Sequence, residues 1–185
     1  MNAKLRGLTV AAAMAASLAM PASAETIKIG FIATFSGPNA SFGKLMKDAV
    51  DLYIKENAKT IAPHTVELIV RDDGGPAPDV ARRLAQELIT RDKVNVLAGV
   101  VFTPNAHAIA PLLTEAKEPL VIMNAGTSVT TTLSPYIVRT SFTLWQSSYP
   151  LGKWAAKQGS KRAYTAVTDY GPGHDGEAAF IKGFT

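Results

Sequence analysis

The sequence contains no cysteine among its 185 residues. That excludes disulfides, a thiolate metal site and a cysteine-linked lipid anchor. It also lacks a dense basic run, and Arg82-Arg83 reads as the solvated face of a helix, so nucleic acid is not expected as a partner. His64, His107 and His174 are scattered, and none stands at metal-ligand spacing from another. No G-x-S-x-G elbow marks a serine hydrolase, the first β-to-α loop has Gly37 and Gly43 but no G-x-G-x-x-G for a dinucleotide and is interrupted by Pro38, and Gly171-Pro172-Gly173-His174 lacks the Gly-Lys-Ser/Thr ending of a phosphate-binding loop. No nucleophile, base or metal set stands out, which disfavours an enzyme, and no cofactor is implied.

One apolar run is present. Lys4 and Arg6 precede an alanine-rich stretch from Leu8 to Met20, then Pro21, then Ala22-Ser23-Ala24. This is the layout of a secretory signal peptide over residues 1–24, with cleavage expected before Glu25. The run is shorter than the ~20 residues a membrane-spanning helix needs. The formal charge of +4 falls to about +2 once Lys4 and Arg6 leave with the leader. About 160 residues then remain, enough for a domain with its own core. Export without a lipid anchor points to a freely diffusing periplasmic protein.

From Glu25 onward, strand-like and helix-like segments alternate. Ile27–Ala33, Val66–Val70 and the apolar Val94–Val101 read as strands, with shorter ones at Leu120–Met123, Tyr136–Arg139 and Arg162–Thr168. Helices are predicted over Lys44–Asn57, from Asp79 as N-cap, from Thr103-Pro104 as N-cap and first position to about Lys117, over Leu144–Lys157, and over Pro172–Phe184. Strands separated by helices imply an α/β fold with a parallel sheet flanked by helices. The expected division is a first lobe over 25–143, then a crossover helix and the start of a truncated second lobe over 144–185.

Ligands of open parallel sheets bind outside the carboxyl ends of the strands. Four loops leave such ends: Thr34–Gly43, Asp72–Pro78, Phe102–Asn105 and Asn124–Ser128. Thr103 joins a hydroxyl to a helix N-terminus, where free N–H groups favour an anion. Gly126 permits close approach to the backbone, and Thr127 offers a second hydroxyl. Together they suit a carboxylate without any charged side chain, although both also suit ordinary caps and turns. Asp72-Asp73 reads as a polar turn before it reads as a metal or acid–base pair. Phe42, Phe102, Phe142, Trp145 and Tyr170 fall near loops and are either pocket-lining or core.

In order and spacing, these pieces resemble the branched-chain amino-acid-type solute-binding proteins of ABC transporters, with the type I periplasmic binding fold. Phe35-Ser36-Gly37-Pro38 with Phe42-Gly43, Arg71-Asp72-Asp73, the Gly99 strand leading to Thr103, and Asn124-Ala125-Gly126-Thr127 carry the resemblance, with Ser134–Thr140 and Asp169-Tyr170-Gly171 in support. It implies two lobes closing on a small carboxylate ligand, an inner-membrane ABC permease as partner, and a monomer at full length. A sensor on the same fold, reporting to a regulator, is the alternative. The resemblance implies that Thr103, Ala125 and Thr127 grip the carboxylate while Phe42 and Tyr170 flank the ligand, with Phe102 beside them. Amino-acid binders of the family often have a serine-rich loop where this chain has Phe102-Thr103-Pro104-Asn105, and often Tyr or Trp at the Phe42 position. An aliphatic amino acid and an aromatic or other organic acid both remain open.

Overall fold

The computed structural model describes residues 24–185, so the predicted leader lies outside the described residues. β1 (Thr26–Ala33) alternates Ile27, Ile29, Phe31 and Ala33 with Lys28, Gly30 and Ile32, and its last four residues are buried. A strand that is apolar on both faces belongs inside a parallel sheet. β1 pairs in parallel with β2 (Thr65–Asp72) on one side and with β3 (Val96–Gly99) on the other. β4 (Leu120–Ile122) and β5 (Ile137–Arg139) extend the sheet in the order β2-β1-β3-β4-β5. The connections from β1 run to opposite sides, so the sheet changes winding direction between β1 and β3. A crevice opens at the carboxyl ends of such a pair.

Five helices of ten residues or more accompany the sheet: α1 (Ala40–Glu56), α2 (Pro78–Glu87), α3 (Thr103–Ala116), α4 (Leu144–Lys157) and α5 (Gly171–Phe184). The larger core gathers Ile32, Leu97, Leu120 and Ile122 of the sheet with Leu84 of α2 and Ile109 and Leu113 of α3. On the opposite face Phe31, Ala33 and Val101 pack with Met46 and Val50 of α1. Complete burial of a Leu or Ile contributes about 1.5–3 kcal/mol. α4 and α5 pack against each other, and a Cβ on Gly152 would overlap the Phe180 carbonyl oxygen.

Several boundaries differ from the sequence expectations. α1 starts at Ala40, four residues before Lys44, because Pro38 opens a 3-10 turn over Gly37–Asn39 that feeds the helix. Phe42 and Gly43 therefore lie in the first turn of α1. Gly43 N–H donates to the Thr34 carbonyl at 3.1 Å, an approach that any Cβ would obstruct. Ala77, not Asp79, is the N-cap of α2; Pro78 takes the first helical position, and Asp79 faces the positive helix end from the first turn. Likewise the N-cap of α3 is Phe102, so Thr103 is the first helical residue and its side chain does not cap the helix.

β3 ends at Gly99 rather than Val101. Gly99 at φ +105° and Val100 at φ +58° turn the chain out of the sheet. A β-branched residue in that region is held at a cost of order 1–3 kcal/mol. The surroundings fix it: Val100 N–H donates to Ile32 O at 2.7 Å, and Val100 O accepts from Ala125 N–H at 3.2 Å. The strand expected over Arg162–Thr168 is absent. Residues 160–168 form no ladder, and Tyr164 is 98% exposed. An apolar run becomes a strand only beside a partner, and no described strand lies alongside this one.

Candidate functional site

The turn at Gly99-Val100 delivers Val101, Phe102 and Thr103 to the crevice. Asn124 secures the turn by donating from Nδ2 to Val101 O at 2.9 Å. Thr103 and Thr127 meet there, their hydroxyl oxygens 3.0 Å apart and both side chains buried. Because Thr103 does not cap its own helix, its hydroxyl is available for this pairing.

Two helix N-termini converge on the pair. Thr103 begins α3 and Gly171 begins α5; a Cβ on Gly171 would lie 3.2 Å from Thr127 Oγ1 and 3.6 Å from Thr103 Cγ2. The first N–H groups of a helix have no partner within it, and each helix end carries roughly half a positive charge. Beside the pair is a cavity of about 270 Å³ whose lining includes Phe42, Phe102, Thr103, Asn124, Phe142 and Tyr170. Among the described residues, no ionisable acid or base lines it except the Tyr170 phenol. The chemistry on offer is dipolar at one end and aromatic along the walls.

The structure therefore brings Phe42, Phe102, Thr103 and Tyr170 to one cavity and ties Thr127 to Thr103. Ala125 is placed differently. It is almost wholly buried, and its N–H is engaged by Val100 O, while neighbouring Gly126 lines the cavity beside the Leu144 side chain.

The acidic pair Asp72-Asp73 is committed to the scaffold. Asp73 is buried and accepts from Thr34 Oγ1 at 2.6 Å, Gly75 N–H at 3.1 Å and Asn105 Nδ2 at 2.9 Å. These bonds tie the ends of β1 and β2 to the first turn of α3. Asp72 Oδ1 accepts from Phe35 N–H at 2.8 Å and Gly74 N–H at 2.9 Å. Burial tends to raise its pKa, but the donated hydrogen bonds outweigh that and hold it below the usual carboxylate value. Among the described residues no cluster of His, Asp or Glu has metal-binding geometry, and no helix is long and apolar enough to cross a membrane.

Sequence reading missed the supports of Thr127. Arg139, at the end of β5, donates from a terminal guanidinium nitrogen to Thr127 O at 2.7 Å. Burial lowers its pKa, and the nearby Asp175 charge offsets part of that. Asp175 of α5 binds Ser128 and the Trp145 indole. A lone arginine in a short, half-buried strand was the available signal.

His107, one turn after Thr103 on α3, sits 3.2 Å from Thr130 Oγ1 through Nε2, and burial lowers its pKa. The unfolded chain takes up a proton below about pH 6.5 that the folded imidazole resists. This contribution to stability is therefore complete above that pH and is lost as the pH falls below it. Thermal midpoints at pH 7.5 and 5.5 should show a smaller drop in His107→Gln than in the parent. An equal drop would assign the loss to other groups.

The sheet order and the site geometry define a class, and sequence comparison agrees with it: residues 26–185 match the pattern of the periplasmic binding proteins, and the chain belongs to that family. Leu/Ile/Val-binding protein homolog 6 of Brucella abortus (strain 2308) is 45% identical over 167 residues, covering 90% of this chain and 43% of its own. An R. palustris ABC-transporter solute-binding protein crystallised with 4-hydroxybenzoate is 52% identical with a TM-score of 0.82, over 86% of this chain and 43% of that one. A counterpart from Rhodopseudomonas palustris BisB5, in complex with 3,4-dihydroxybenzoic acid, is also 52% identical with a TM-score of 0.82, over 86% and 44%. The chain thus spans less than half the length of these relatives.

Proposed function

We propose that the chain forms the carboxylate-gripping part of a periplasmic receptor for an ABC uptake system, and that its ligand is a small aromatic carboxylate. One observation carries this reading: two helix N-termini meet at the Thr103–Thr127 hydroxyl pair, and Thr103 of that pair lines a cavity walled by aromatic side chains. The N-termini and hydroxyls suit a carboxylate, and Phe42, Phe102, Phe142 and Tyr170 suit a ring. The relatives crystallised with hydroxybenzoates support the same choice.

The name of the Brucella relative favours an aliphatic amino acid instead. That ligand brings an ammonium group, and the described cavity lining offers no carboxylate to pair with it. Residues 25–143 are proposed as one lobe and 144–185 as the start of another. A monomeric receptor of this kind closes because its ligand binds the closed state more tightly, and the closed form docks on an inner-membrane permease.

A thermal-shift panel on the protein at its full natural length tests the ligand class. Benzoate and 4-hydroxybenzoate are expected to raise the midpoint, with about 2.7 kcal/mol of stabilisation at a hundredfold excess over Kd. A rise with Leu, Ile and Val alone overturns the aromatic reading.

A further inference from the structure

Asp175 lies one turn into α5, and its carboxylate reaches the loop that carries Thr127. Oδ2 accepts from Ser128 N–H at 3.0 Å, while Oδ1 accepts from the Ser128 hydroxyl at 2.7 Å and from Trp145 Nε1–H at 2.9 Å. Arg139 holds the Thr127 carbonyl at 2.7 Å. Thr127 C=O and Ser128 N–H belong to one peptide unit. A cation therefore binds the oxygen end of that peptide plane and an anion binds its N–H end. This matches the peptide dipole and fixes the plane against rotation, and hydrogen bonds to charged groups are about twice as strong as neutral ones.

We infer that Asp175 and Arg139 are positioning residues for the ligand site. By clamping the 127–128 peptide they set the direction of the Thr127 side chain and hold its hydroxyl 3.0 Å from Thr103. The same carboxylate anchors α5, whose first residue lies against both threonines. Neutral partners would satisfy this part-buried peptide for folding alone, whereas opposite charges at its two ends also fix its plane. The inference rests on the Thr103–Thr127 pair being the ligand site.

The test uses the protein at full natural length, with 4-hydroxybenzoate as the probe and calorimetric Kd as the readout. Asp175→Ala is expected to weaken binding at least about tenfold, in line with the loss of hydrogen bonds to a charged group. Thr127→Val added to Asp175→Ala should then weaken it little further, because the hydroxyl is already misplaced. Asp175→Asn should recover only part of the affinity: its oxygen still accepts, but its amide faces the Ser128 N–H. If Asp175→Ala lowers the melting temperature while Kd stays within about twofold of the parent, the clamp is structural and the inference falls. If the parent does not bind the probe, the ligand reading fails, and amide exchange at Ser128 decides the clamp separately. A Ser128 amide well protected in the parent and exposed in Asp175→Ala and Asp175→Asn supports it, and equal exchange in all three overturns it.

Discussion

Replacing Thr103 by valine is expected to weaken carboxylate binding by about ten- to a hundredfold while leaving the fold intact, consistent with the ~1.5–3 kcal/mol of a hydrogen bond to a charged group. Valine keeps the shape of threonine and loses only the hydroxyl. That hydroxyl neither caps α3 nor bonds any described group other than Thr127 Oγ1, so little of the scaffold depends on it. The loss is doubled in kind: the ligand loses one donor, and Thr127 loses the partner that orients it. Thr127→Val should therefore have a similar effect, and the double variant should fall well short of the summed losses. Titration of the three variants with 4-hydroxybenzoate decides it. A Kd unchanged in Thr103→Val would remove the hydroxyl pair from the site.

The second large effect concerns stability. Gly99→Ala is expected to lower unfolding free energy by about 3 kcal/mol or more, combining an unfavourable backbone region with a steric overlap. Gly99 sits at φ +105°, and a Cβ there would run into the Ile32 carbonyl oxygen. The obstacle is main chain in β1, an inner strand of the sheet, and the same oxygen accepts the Val100 N–H at 2.7 Å. Relief would require breaking that bond or moving β1. Gly37 provides the control: it too has a positive φ, +69°, but a Cβ there would meet nothing within 4 Å. Gly37→Ala should cost only about 1 kcal/mol, the conformational part alone. Urea midpoints of the two variants compare them, and equal losses would show that the overlap at Gly99 is easily relieved.

Much of the fold was readable in the sequence because local chemistry and tertiary need agree there. Leu144–Lys157 coincides with α4 at both ends, where Thr143 N–H bonding to Gln146 Oε1 at 2.7 Å completes a capping box. β1 carried its own alternation. The end of β3 was not readable, since the turn at Gly99 depends on an Ile32 carbonyl far away in the chain. Arg162–Thr168 has strand-like residues but lacks the partner that would make them a strand. For the site, the threonines and aromatics were visible as residue types at strand ends. The contact between Ser128 and Asp175 spans 47 residues and leaves no periodic trace. Ala125 stood out through its place in a familiar loop, yet the turn at Val100 engages its amide.

The convergence of two helix ends on an uncharged hydroxyl pair has a consequence for the cavity when it is empty. A pocket built around a lysine or arginine must keep that cation hydrated or neutralised whenever no ligand is present, and each exchange of ligand rearranges counterions. Here the positive potential arises from backbone dipoles locked into α3 and α5. Among the described residues that line the cavity there is no cation, so on the proposed reading this lining exposes no bare ion when empty and sheds no cation's water when filled.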